Sequence, residues 1–180
     1  DDTVVILGAG PIGLLHVHLA KLRGAARIIV SDPNAHRREA ALTAGANIAI
    51  DPTSEDVTAR VRENTGGRGA DVVICAIGIP ALALQATELA AFGGRVSLFA
   101  GFSKGETGEM DVNAIHYREI TVTGAFGLSR KDFDRAFDMV ASGQIDLKPM
   151  ITHRFALDEI TEALAVAEGG SAIKVAVLND

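Results

Sequence analysis

This 180-residue chain has no tryptophan, one tyrosine and one cysteine, and aromatic residues make up only 4% of it. A core without large rings has to be aliphatic, and 48% hydrophobic residues supply the material for one. Interiors rich in Val, Ile and Ala suit sheets covered by helices on both faces. The lone Cys75 excludes an internal disulfide and any multi-cysteine zinc cluster within the chain. A reducing, cytoplasmic setting is the expectation. No basic run is long enough to follow a phosphate backbone, and a net charge of −6 disfavours nucleic acid as a partner. No apolar stretch reaches the roughly 18 residues a membrane-crossing helix needs, so no membrane partner is expected. Nothing near Asp1 reads as a signal peptide. A strand starting almost at once after a first residue that is not Met reads as a piece of a longer protein.

What the chain does have is concentrated at its start. Val4 to Leu7 is a short, wholly apolar run, as a strand buried on both faces requires. Gly8, Gly10 and Gly13 follow at G-x-G-x-x-G spacing, and a helical pattern begins directly after them. Strand, glycine turn and helix in that order are the context of a dinucleotide-binding fingerprint. Gly8 allows the tight turn, Gly10 leaves room for a pyrophosphate, and Gly13 lets the helix lie close to the strand. Pro11 and Ile12 begin the helix, where a missing N–H costs nothing and the helix start favours phosphate. Asp32 stands 19 residues beyond Gly13, at the end of a second strand Arg27 to Ser31. The fingerprint places its acid about 20 residues on. A carboxylate there accepts from ribose hydroxyls and repels a 2′-phosphate, so NAD is expected in preference to NADP. The plainer reading makes Asp32 a turn residue before Pro33.

The remaining pattern predicts a helix over Pro11 to Arg23, with Ile12, Leu15, Leu19 and Leu22 at helical spacing. A helix capped by Asn34 follows, then a strand Ile48 to Ile50, a helix Glu55 to Asn64 and a strand Asp71 to Cys75. Helix Ala81 to Ala91 precedes strand Arg95 to Phe99, a looser stretch Gly101 to Asn113 and strand Ile120 to Thr123. Two βαβ halves of this kind make a Rossmann-type, doubly wound α/β sheet of order 3-2-1-4-5-6 with helices on both faces. Its ligand lies over the carboxyl ends of the strands. Besides the glycine turn, that edge holds Cys75 to Ile79 (with Ala76 and Gly78), Phe99-Ala100-Gly101, and Ala125-Phe126 after the sixth strand. Residues 1–142 are expected to form this domain. Within it, Phe133, Phe137 and Val140 are expected to face inward from a helix Lys131 to Ser142. Residues 143–180 form a strand-helix-strand tail with Ile160, Leu164 and Val166 on its helix.

In combination, several stretches resemble the coenzyme half of the medium-chain dehydrogenase/reductase superfamily, in its zinc-containing alcohol and polyol branch. They are Gly8 to Gly13, Ser31-Asp32 with Arg37, Ala44-Gly45-Ala46, Gly69 to Val73, Gly93 to Val96, and Gly170 to Val175. Sorbitol- and threonine-dehydrogenase-like members look nearest, and His116-Tyr117-Arg118-Glu119 resembles that neighbourhood too. The resemblance implies that Arg37 lies against adenosine and that backbone near Phe99 to Gly101 and Ala125-Phe126 holds the nicotinamide carboxamide. It implies a zinc-bearing, N-terminal catalytic domain outside this chain, on which the tail packs. It also implies self-association through the edge of the sixth strand, and a small alcohol or polyol as substrate. On that reading this chain binds NAD, and neither catalytic nor metal-ligating residues lie within it.

Other residues invite chemistry. His16 and His18 are two apart on a helix and share no face, so they read as packing or solvent residues. His36 and His153 read as surface or capping residues. His116 to Glu119 either lines a cleft or is an ion-paired segment that positions the sixth strand. Tyr117 is followed by Thr121 and not Lys, which excludes a Tyr-x-x-x-Lys pair. Cys75 reads as a small buried hydrophobe. Three alternatives stand beside the leading one: a non-catalytic NAD(H)-sensing domain, a quinone-reductase-type enzyme using NADPH, and a methyltransferase binding S-adenosylmethionine.

Overall fold

In the computed structural model, which describes residues 1–179, β1 (Thr3–Leu7) is buried along its whole length. It is the spine of a six-stranded sheet. The other strands are β2 (Arg27–Ser31), β3 (Ile48–Ile50), β4 (Ala70–Cys75), β5 (Ala90–Leu98) and β6 (Thr121–Gly124). Their order is β3-β2-β1-β4-β5-β6, and every pairing is parallel. The expected doubly wound sheet is therefore present. Register brings Leu7 beside both Ser31 and Cys75, and Leu98 beside Gly124. All the strands thus end along one edge.

Helices α1 (Pro11–Leu22) and α2 (Ala35–Ala44) pack together. Helices α3 (Val57–Glu63), α4 (Ala81–Leu89) and α5 (Val112–Tyr117) form a second group. Val5, Leu7, Ile29, Val73 and Val96 of the sheet share one core with Val57 and Val61 of α3 and Ala86 and Leu89 of α4. The alternate positions Val4, Ile6, Ile28 and Val30 are buried as well, so the central strands are covered on both faces, as a parallel sheet demands.

Three local features are not given by the sequence pattern, each for an identifiable reason. The apolar residues Ile12, Leu19 and Leu22 of α1 are exposed, whereas Gly13, Leu14 and Val17 are buried. Contact between Gly13 and the turn after β1 fixes which face of α1 meets the sheet, and that contact outranks the apolar count. The fifth strand begins at Ala90, because α4 stops at Leu89. There the Arg118 guanidinium donates to the carbonyls of Thr87 (2.7 Å) and Ala90 (3.0 Å). The looser stretch gives way two residues early to α5, which runs on to Tyr117 and is capped by Asp111, whose Oδ1 accepts from Ala114 N at 2.9 Å.

The chain divides into two compact units, Asp1–Phe126 and Gly127–Asp180. The second unit holds α6 (Arg130–Ala141), β7 (Ile151–Ala156), α7 (Ile160–Glu168) and β8 (Lys174–Leu178), with β7 and β8 paired in parallel. A reciprocal capping box between Ser129 and Asp132 starts α6. The expectation that Phe133, Phe137 and Val140 face inward is not met: they are 59%, 61% and 42% exposed. Leu164 is likewise exposed, while Ala163 is the buried residue of α7. The three-to-four spacing that makes an apolar stripe says nothing about whether this chain covers it.

Candidate dinucleotide site

Everything at the carboxyl edge of the sheet follows from how β1 hands over to α1. Gly8 turns the chain with φ +98°, a conformation closed to ordinary side chains, and its N–H donates to Ser31 O at 2.8 Å. A Cβ on Gly13 would stand 1.9 Å from Gly8 O, so only hydrogen allows α1 to start against the turn. Gly10 differs from both. A Cβ there would meet nothing within 4 Å. As the residue before α1 it provides no side-chain cap, and no acid occupies the first turn. Amide donors and the positive end of the helix thus face open space, a cradle that suits a diphosphate.

Asp32 closes this turn from β2. It is only 3% exposed. Its Oδ2 accepts from Ala9 N at 2.7 Å, inside the glycine turn, and Oδ1 accepts from Asn34 N at 2.8 Å. One carboxylate therefore links the β1–α1 turn to the β2–α2 turn by two charge-assisted bonds. Each oxygen keeps a lone pair, so the bonds leave room for hydroxyl donors. Asn34 caps α2 by accepting from Arg37 N at 3.2 Å. The Arg37 Nε is buried with no hydrogen-bond partner among the described residues. Its neighbour Arg38, which no sequence signal marks, donates to the carbonyls of Asp32 (2.8 Å) and Pro33 (2.9 Å) and pairs with Asp51 at 2.9 Å. A tandem Arg37-Arg38 gives no hint of which guanidinium the turn will use.

The other strand ends join the same edge. Ala76 N donates to Leu7 O at 2.9 Å and Ala100 N to Cys75 O at 3.0 Å, carrying the sheet's bonding past β4 and β5. A Cβ on Gly78 would stand 2.0 Å from Gly101 O, so the loops after β4 and β5 touch backbone to backbone. Ile12, Ile77 and Phe99 are each about two-fifths exposed, and Phe126 is fully exposed. The edge thus offers an apolar surface beside a polar turn. Ala125 and Phe126 follow β6, the strand next to β5.

Phe99 also stacks edge-on against His16, with centroids 4.6 Å apart. Burial pushes the His16 pKa below 6.5, and its Nε2 is enclosed without a hydrogen-bond partner among the described residues. Cys75 is buried, with its thiol pushed up to about 11 by desolvation, so it is poorly suited to attack. In the His116 to Glu119 segment, His116 and Tyr117 touch ring to ring, while Arg118 clamps the end of α4 through carbonyls and not through an ion pair. Among the described residues, no group of three or more His, Cys, Asp or Glu is placed to hold a metal ion. Among the described residues, no helix is long and apolar enough to cross a membrane.

A family described as zinc-binding dehydrogenase matches residues 11–142. L-threonine 3-dehydrogenase of Bacillus licheniformis is 36% identical over 178 residues, covering 97% of this chain and 51% of that protein. The alcohol dehydrogenase TADH of Thermus sp. ATN1 superimposes with a TM-score of 0.92 at 27% identity, over 99% of this chain and 51% of the other. A Sinorhizobium meliloti 1021 structure assigned to the zinc-binding dehydrogenases, bound to NADP, gives 0.91 at 36% identity, over 98% and 52%. The chain spans about half the length of the curated relatives it matches.

Proposed function

The chain belongs to the zinc-binding dehydrogenase family, and on that premise we propose that it is the NAD(H)-binding part of an oxidoreductase moving hydride between an alcohol or polyol and NAD. The observation that carries this reading is the turn itself. The start of α1 carries no side-chain cap and faces open space over Gly10, and the buried carboxylate of Asp32 borders it. Amides of the first turn of α1 would hold the diphosphate, with Gly8, Pro11, Ile12 and Gly13 shaping the cradle. Asp32 would take the ribose hydroxyls, and Arg37 would lie against the adenosine. Backbone of Ala76, Gly78, Phe99 to Gly101 and Ala125-Phe126 would position the nicotinamide.

When bound, the nicotinamide supplies hydride transfer, and this chain's work is orientation and exclusion of water. The zinc that the family description names does not fit this chain, whose described residues offer no ligand cluster. We assign zinc ligation and alcohol binding to residues outside it, on an N-terminal catalytic domain against which residues 143–180 would pack. Residues 1–142 would be the nucleotide-binding domain. The exposed edge of β6 would serve self-association in a cytoplasmic, homo-oligomeric enzyme. A second reading, NADP as the preferred nucleotide, draws on the NADP-bound relative. The charge of Asp32 opposes it.

Titrating NADH and NADPH into the wild type and Asp32→Ala tests the proposal. NADH should bind more tightly, and the variant should lose about 1–3 kcal/mol of NADH binding, as hydrogen bonds to a charged group imply. The purified chain should oxidise no alcohol. Absence of nucleotide binding, or alcohol turnover by the 180-residue chain alone, would overturn it.

A further inference from the structure

We propose, resting on the dinucleotide reading above, that the Arg38–Asp51 pair positions the β2–α2 turn and helps set its preference for a dinucleotide without a 2′-phosphate. Two consecutive arginines just beyond the ribose-side acid are the residues that a 2′-phosphate would take, because a guanidinium grips phosphate with two parallel bonds. The structure spends one of them elsewhere. Arg38 Nη1 donates to the carbonyls of Asp32 and Pro33 at 2.8 and 2.9 Å, and Nη2 pairs with Asp51 Oδ2 at 2.9 Å.

Asp51, just beyond β3, is itself held. Its Oδ1 accepts from Thr53 N at 2.9 Å and from Thr53 Oγ1 at 2.5 Å, and its own N–H donates to Glu55 Oε1 at 3.0 Å. The carboxylate that faces Arg38 is therefore oriented before the pair forms. Both side chains are about four-fifths covered, with 19% and 23% exposed, so water screens the pair less than an open surface bridge. Two consequences follow. The carbonyls of Asp32 and Pro33 are pinned, which fixes the Asp32 carboxylate in its position. The Arg38 charge is also neutralised and both ends of its fork are occupied, so Arg37 remains the one arginine of the tandem for the nucleotide.

The two partners shift the preference through different nucleotides on substitution. Asp51→Asn removes the anchor and leaves Arg38 able to meet a 2′-phosphate. Arg38→Met removes the clamp on the turn and supplies no new cation. Arg38→Lys keeps a charge but has one nitrogen where the guanidinium uses two, Nη1 for the carbonyls and Nη2 for Asp51. A merely structural role would instead weaken both nucleotides alike.

Fluorescence titration of the purified protein with NADH and with NADPH, alongside far-UV circular dichroism, reads this out. Asp51→Asn should tighten NADPH by about threefold or more and leave NADH within about twofold. Arg38→Met should weaken NADH by about threefold or more with no gain for NADPH, and Arg38→Lys should fall between it and the wild type. A folded Asp51→Asn or Arg38→Met protein that leaves the ratio of the two affinities within about twofold of wild type, or weakens both nucleotides equally, overturns the proposal. Should Asp51→Asn fail to fold, Arg38→Met decides alone. A wild type that binds neither nucleotide removes the dinucleotide reading itself, and this proposal with it.

Discussion

Replacing Gly13 by alanine sets two known effects against each other. Inside a helix, alanine is favoured over glycine by about 1 kcal/mol. Against that stands the new methyl group, 1.9 Å from Gly8 O and 2.9 Å from Gly8 C. Carbon and oxygen ordinarily approach to about 3.3 Å, so α1 and the turn must separate by well over an ångström. Both atoms struck belong to backbone, and no rotamer relieves them. Overpacking of this kind costs about 1–3 kcal/mol, with rigid surroundings at the upper end. The net loss is then about 2 kcal/mol, which for a chain of this length lowers Tm by about 4–8 °C. Gly10→Val, three residues away, has no neighbour within 4 Å of its Cβ, and it loses only a poorer helix cap, under about 1 kcal/mol. Thermal unfolding followed at 222 nm compares the two. A Gly13→Ala protein as stable as wild type, or less perturbed than Gly10→Val, would refute this account of the turn.

Two further outcomes concern titration. Cys75 keeps its proton in the fold up to about 11, against 9.0 for an ordinary thiol, so the folded state binds more protons between those values. Stability that is complete below pH 9 should fall as pH rises through that window, and urea midpoints should fall less for Cys75→Ala. For His16 the sign is reversed: burial lowers its pKa, so its contribution is complete above pH 6.5 and lost as pH falls below it. His16→Leu should flatten the decline in urea midpoint between pH 7 and 5, and an unchanged slope would contradict the burial of a neutral ring.

The sheet order, the glycine turn and Asp32 were legible in the sequence because each is forced by local chemistry. A buried apolar run, a turn needing positive φ and an acid at a strand end leave few other arrangements. The buried face of α1 was not legible. Its apolar residues run around much of the helix, and a backbone contact at Gly13 made the choice. α5 is not marked in the sequence because six residues are too few to show a helical period, which leaves one cap, Asp111, as its signal. The extension of β5 back to Ala90 depends on Arg118, 28 residues away in sequence. Nothing in the sequence separates Arg38 from Arg37, because its partner Asp51 comes from another strand end. On α6 the periodicity gave a stripe correctly and its environment wrongly. Spacing defines a face, and only the neighbouring atoms say whether that face is covered.

The central claim is that a dinucleotide lies over the first turn of α1 in the space that Gly10 leaves open. Titration of NADH into wild type and Gly10→Val, each shown by circular dichroism to be folded, tests it most directly. The account predicts saturable one-site binding in the wild type and a loss of about tenfold or more in the variant. Equal affinity in the two folded proteins would contradict it.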